Sequence, residues 1–103
     1  MDLAVKIYEV CKLLPRDETY GLASQMKRAA VSIPSNIAEG FRRLHKAEQR
    51  QFAMIAYGSG SELETQLLLA KRIGFWKNNE VKEIDELLSE VMKMLNAYTA
   101  SRM

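Results

Sequence analysis

Side chains that could carry out catalysis are few in this sequence of 103 residues. It contains one histidine, His45, and one cysteine, Cys11. A dinuclear metal site in a helical bundle needs Glu-x-x-His pairs on facing helices, and a serine or cysteine nucleophile needs a base beside it. Glu62 and Glu64 are two residues apart and cannot share one helix face. We therefore expect no catalytic residue, no metal, no cofactor and no enzymatic activity.

A polar stripe is the first candidate site. Four of its members lie along the second predicted helix: Arg28, Ser32, Asn36 and Glu39. The fifth, Glu62, is an acidic residue of the third predicted helix that they could meet. One interpretation is a hydrogen-bonded ion-pair network that fixes helix register by penalising wrong pairings. The other is a cleft between two helices that binds a small ligand.

A basic cluster is the second candidate site, with four cations opposed only by Glu48: Arg42, Arg43, Lys46 and Arg50. The net charge of the chain, +2, is too small to imply a nucleic-acid partner by itself. In a cyclic assembly, however, several clusters would form one cationic rim, which attracts phosphate backbones without reading sequence. RNA or DNA is therefore a candidate partner.

Four helices must position these residues. Apolar residues recur at steps of three and four over residues 2–14, 18–42, 46–73 and 80–99, which predicts amphipathic helices. No alternating pattern typical of strands occurs. Short connections favour antiparallel neighbours, so we predict one all-α domain over residues 1–103, an up-down-up-down four-helix bundle. The glycines and serines of residues 58–61 should let the third helix approach the second closely.

The third predicted helix is apolar on more than one side, since Tyr57 and Leu68 lie off its main face. A helix that is apolar on two sides is buried on two sides, so these residues are predicted to contact another subunit. The chain should therefore assemble as a cyclic homo-oligomer. The alternative function is a scaffold that binds another protein and no nucleic acid.

The setting of the protein is predicted to be the cytoplasm. No apolar run approaches the ~20 residues that a membrane span needs, so no membrane partner is expected. The N-terminus is an amphipathic helix rather than a signal peptide, and one cysteine cannot form a disulfide within the chain.

Three segments carry a family resemblance: residues 20–40 (YGLASQMKRAAVSIPSNIAEG), residues 58–59 (GS) leading to 62–67 (ELETQL), and residues 70–75 (AKRIGF). With these segments the chain resembles the bacterial four-helix-bundle family also called the 23S ribosomal RNA intervening-sequence proteins. More distantly, it is similar to the accessory variability determinant of diversity-generating retroelements, a basic pentameric barrel that binds nucleic acid and the reverse transcriptase.

The resemblance implies a left-handed four-helix bundle that assembles as a ring, most often a homopentamer. The family motif maps onto the polar stripe, from Arg28 to Glu62, without a catalytic role to carry over. Together with the basic cluster, the resemblance leads to the hypothesis of weak, backbone-directed binding of RNA or DNA.

Overall fold

Four α-helices and one short 3-10 helix form most of residues 2–18 and 20–103, the part of the chain that the computed structural model describes. The helices are α1 (Asp2–Cys11), α2 (Leu22–Phe41), α3 (Lys46–Ile73) and α4 (Asn78–Ala100), with the 3-10 helix at Arg16–Glu18. No strand occurs in these residues, which confirms the all-α prediction. Met1, included in the predicted domain, and Thr19, included in the second predicted helix, lie outside the described residues.

The helix ends follow local backbone chemistry. The bounds of α3 are those predicted, whereas α1 ends at Cys11 rather than at residue 14. The amides of the next three residues donate to carbonyls three residues back, as in a 3-10 turn. Pro15 ends this tightened turn, because proline has no N–H to donate and disfavours the α conformation of Leu14, the residue before it. α2 begins at Leu22 rather than at residue 18, since Gly21 has the non-helical angles φ −100° and ψ −109°.

The apolar faces of the four helices meet in one core. Its most deeply buried large side chains come from every helix: Ile7, Met26, Leu63, Leu67, Val81 and Leu88. α2 packs against α1 and α3, and α4 packs against α3 and α1. Each helix therefore has two neighbours, and the order around the core is α1, α2, α3, α4. This packing is that of a four-helix bundle.

Small residues bring helices together at two places, and one of them is not the place expected from sequence. At Gly40 of α2, an added Cβ would lie 3.1 Å from the Cβ of Phe52 on α3. At Gly60 of α3, an added Cβ would overlap the sulfur of Met92 on α4. The expectation that residues 58–61 approach α2 is thus met by Ser59, whose hydroxyl bonds to Ser32 on α2, and was wrong for Gly60.

Candidate nucleic-acid interface

The basic cluster lies where α2 ends and α3 begins. Arg42 follows α2 and Lys46 starts α3, and both side chains are exposed and make no ion pair among the described residues. Arg43 is held in place: its Nη2 lies 2.8 Å from Oε2 of Glu39, and its guanidinium lies 4.8 Å from the centroid of the Phe52 ring. The exposed cations are therefore free to meet an anion, while Arg43 is already partly neutralised.

Arg50, the fourth predicted cation, is half-buried one turn into α3. Its Nε is buried and has no hydrogen-bond partner among the described residues. A buried N–H without a partner is costly, and an added acceptor would relieve that cost. A ligand anion outside the protein would not reach this buried Nε, so Arg50 contributes charge to the cluster but its unpaired Nε does not mark a ligand site.

A fifth cation, Arg102, reaches the same place from the end of α4. Its Nε donates to Oε1 of Gln49 on α3 at 2.9 Å, and its guanidinium lies 3.5 Å from the centroid of the Tyr98 ring. Gln49 in turn donates through Nε2 to the carbonyl oxygen of Arg43 at 2.9 Å. We call these five cations, Arg42, Arg43, Lys46, Arg50 and Arg102, the basic end.

Sequence reasoning missed Arg102 because it is far from the other four cations along the chain. The available signal was the apolar seam of α4, which reaches Tyr98 and so places the residues just after it at one end of the bundle. Tyr98 also contacts Phe41, with ring centroids 6.1 Å apart and an edge-on angle of 60°. Phe41 is 69% exposed, and it is the aromatic ring at the basic end that could stack on a base.

The residues of the polar stripe fall into separate groups. Ser32 accepts hydrogen bonds from Ser59 at 2.8 Å and from Nδ2 of Asn36 at 3.0 Å, so these three form one half-buried cluster between α2 and α3. Arg28 and Glu62 approach to 3.9 Å on the exposed surface, where such pairs contribute little to stability. Glu39 bonds to Arg43 and so belongs to the basic end.

The two residues predicted to contact another subunit lie on the exposed surface of α3. Tyr57 is 39% exposed and Leu68 is 54% exposed. They are eleven residues apart, about three helical turns, so they lie on the same side of α3. Both therefore lie on one side of α3 that the chain itself does not cover, with Ser61 and the exposed Glu64 between them.

The remaining reactive groups do not gather into a site. Burial raises the pKa of the Cys11 thiol, and the nearby Lys27 opposes this to a smaller extent, so the thiol is protonated and unreactive at neutral pH. Within residues 2–18 and 20–103, no group of three or more His, Cys, Asp or Glu side chains is placed to hold a metal ion. In the same residues, no helix has the length and apolar character needed to cross a membrane.

The fold and this surface define an all-α bundle protein with a cationic end. A family model described as 23S rRNA-intervening sequence protein matches residues 1–97 of the chain. The chain belongs to this family, in agreement with the resemblance of the three sequence segments. No curated protein sequence matches it.

Proposed function

We propose that the chain is a non-enzymatic cytoplasmic protein that assembles as a cyclic homo-oligomer, a pentamer by its resemblance, and binds the backbone of RNA or DNA at its basic end. The binding proposal rests on one observation, the convergence of five cations from α2, α3 and α4 at one end of the bundle. Lys and Arg side chains bind phosphates through charge and release counterions, which requires no base-specific contact.

The four helices alternate in direction in this proposal, as in an up-down-up-down bundle. Gly40, late in α2, lies beside Phe52, early in α3, whereas Arg28, early in α2, lies near Glu62, later in α3. α3 and α4 show the same opposite order, since Arg102, after α4, bonds to Gln49 early in α3, whereas Asp85, early in α4, pairs with Lys71 late in α3. These contacts support antiparallel neighbours, with the ends of α2 and α4 beside the start of α3.

Assembly follows from the uncovered apolar stripe of α3. Large exposed apolar side chains on one side of a small protein favour an interaction site, and Met54, Tyr57 and Leu68 lie on one side of α3 here. In a ring, the basic ends of all copies would lie on one rim. Each chain brings about three net positive charges, because Glu39 and Glu48 oppose five cations, so the rim would concentrate positive potential.

The binding proposal is tested with the two exposed cations. Arg42→Glu combined with Lys46→Glu reverses two charges without touching the Arg43–Glu39 pair or the half-buried Arg50. Fluorescence anisotropy with a labelled RNA hairpin and a short single-stranded DNA, at ~50 and ~200 mM salt, should show binding that weakens with salt and falls at least about tenfold in the double variant.

The matched control reverses two cations at the other end of the bundle, Arg16→Glu with Lys77→Glu, both of which are exposed. It makes the same change in net charge and should retain most of the affinity. Absence of binding by the unmodified protein at ~50 mM salt would overturn the proposal, since counterion release favours association most at low salt. Equal losses in both double variants would show that the basic end is not the site.

A protein-binding scaffold is the second candidate. It is favoured by Phe41 and Leu44, large apolar side chains that are 69% and 90% exposed at the basic end. In that case Arg42→Glu with Lys46→Glu would leave partner binding intact, while Phe41→Ser with Leu44→Ser would abolish it.

A further inference from the structure

A second uncovered apolar surface lies between α1 and α2. It is an open groove of about 590 Å³ whose walls are mostly apolar, and its apolar lining residues are Ala4, Val5, Tyr8, Val31, Pro34 and Ala38. Val31, which forms part of the α2 wall, is 42% exposed. We call this surface the α1–α2 groove. It contains none of the residues of the basic end or of the polar stripe.

The first apolar surface, the α3 stripe, consists of Met54, Tyr57 and Leu68, all exposed and on one side of the helix. This side faces toward α4, because Lys71, one turn after Leu68, pairs with Asp85 of α4 at 2.6 Å. Since the helices follow one another around the core in chain order, the α3–α4 side is opposite the α1–α2 side. The two apolar surfaces therefore lie on opposite sides of the bundle.

We propose that the α1–α2 groove of each copy receives the α3 stripe of the next copy. This inference rests on the proposed homo-oligomer and identifies its two surfaces. A contact between two different surfaces of identical chains is heterologous, and such contacts close into rings when the rotation allows. Opposite placement on the bundle lets every copy use both surfaces at once.

The heights of the two surfaces along the bundle agree. The Ser59–Ser32 hydrogen bond puts these two residues at the same height along the bundle. Because α2 and α3 run in opposite directions in this proposal, Tyr57, two residues before Ser59, lies level with Pro34, two residues after Ser32. In a ring whose axis runs along the bundle, rotation moves a copy sideways and not along the axis. Tyr57 of one copy therefore arrives at the height of Pro34 in the next, where the groove lies.

The charges around the two surfaces are complementary two helical turns from this height. Glu64 follows Tyr57 by two turns and is exposed on the same side of α3. The same count makes Glu64 level with Lys27, whose Nζ lies 5.1 Å from the centroid of the Tyr8 ring in the groove. In the lining itself Lys12 and Glu9 offset each other, so Lys27 beside the lining leaves a net positive charge that favours an incoming carboxylate.

Two variants test the pairing, one in each surface: Val31→Glu in the groove and Tyr57→Lys in the stripe, which would meet the positive charge beside the groove. Neither residue belongs to the core, so each subunit should keep its helicity by circular dichroism. Light scattering should show that each variant alone falls from the mass of the oligomer to that of one chain. An equimolar mixture should then double in mass, because the intact stripe of the first variant fits the intact groove of the second.

The mixture separates this pairing from its alternative. If like surfaces paired with like, each variant alone would remain a dimer through its intact surface, and mixing would change nothing; either result overturns the inference. Val5→Glu, a second groove variant, should behave as Val31→Glu does. Ala97→Glu, on an exposed part of α4 outside both surfaces, should keep the oligomer.

Failure of this inference and failure of the proposed oligomer are distinguishable. If the unmodified protein has the mass of one chain at micromolar concentration, both the homo-oligomer and the pairing of its surfaces are wrong. An unmodified oligomer whose mass survives Val31→Glu and Val5→Glu would remove the groove from the interface and leave the homo-oligomer in place.

Discussion

Helix α2 meets its two neighbours in different ways. Toward α3 it is closed: Ser32 bonds to Ser59, and Gly40 lets Phe52 approach. Toward α1 it leaves an open apolar groove beside Val31. The other wall of this groove is formed by residues of α1 itself, Ala4, Val5 and Tyr8. One side of α2 is therefore closed by contacts within the subunit, and the other leaves apolar surface uncovered.

Among substitutions in α2, the largest change in the free energy of unfolding is expected at Ile33, which is 3% exposed in the core. Ile33→Ala removes buried carbon and leaves a cavity, so we expect a loss of about 2–5 kcal/mol in the free energy of unfolding. Ser35→Ala, two residues later on the exposed side of the same helix, should stay within about 0.5 kcal/mol. Urea denaturation measures both; a similar loss in both variants would contradict the division of α2 into a closed and an open side.

The next largest change in stability concerns two glycines of α3, where substitution by alanine should destabilise the protein at one position and stabilise it at the other. Gly60→Ala gains helix propensity of about 1 kcal/mol but places a methyl group against the sulfur of Met92, and because overpacking costs typically about 1–3 kcal/mol, the net change should be a loss of up to about 2 kcal/mol. At Gly58 an added Cβ meets nothing within 4 Å, so Gly58→Ala should raise stability by up to about 1 kcal/mol through helix propensity. The melting temperatures of the two variants provide the measurement, and a gain in both would refute the close α3–α4 contact.

The smallest changes in the free energy of unfolding are expected at the polar stripe, where two contacts between α2 and α3 can be compared. Ser32→Ala leaves Ser59 without its acceptor on α2 and should cost about 0.5–1.5 kcal/mol. Arg28→Ala removes only a long, exposed ion pair, and a change above about 1 kcal/mol is not expected. Reversal of this order in urea denaturation would mean that the outer ion pair, rather than the hydroxyl cluster, holds α2 against α3.

Sequence reasoning located the elements well where the signal is local. The ends of α3 follow from Lys46, the start of its apolar period, and from Gly74, whose φ of +93° ends the helix in the left-handed conformation. The early end of α1 was not predicted, because Pro15 indicates a helix end near Leu14 and the apolar pattern does not show that the amides of residues 12–14 bond three residues back.

Long-range partners were less predictable. Residue size indicated that Gly60 allows a close approach, but not that Met92 of α4 would fill the space. Likewise, Arg102 joins the basic end through Gln49, and sequence distance hides that contact. Glu39 was grouped with the polar stripe by helical spacing, yet Arg43, one turn later, is its partner. Periodicity gives the face of a helix, whereas the choice among neighbours on that face depends on tertiary packing.

The burial of Met92 under Gly60 also bears on oxidative damage. Peroxide attacks exposed thioethers first, and sulfoxide formation turns an apolar side chain into a polar one. Met92 is 8% exposed, whereas Met54 is 48% exposed. In a dissociated chain, oxidants would therefore reach Met54 while the contact between α3 and α4 is still protected, so mild oxidative stress would hinder the proposed association before it unfolds the chain.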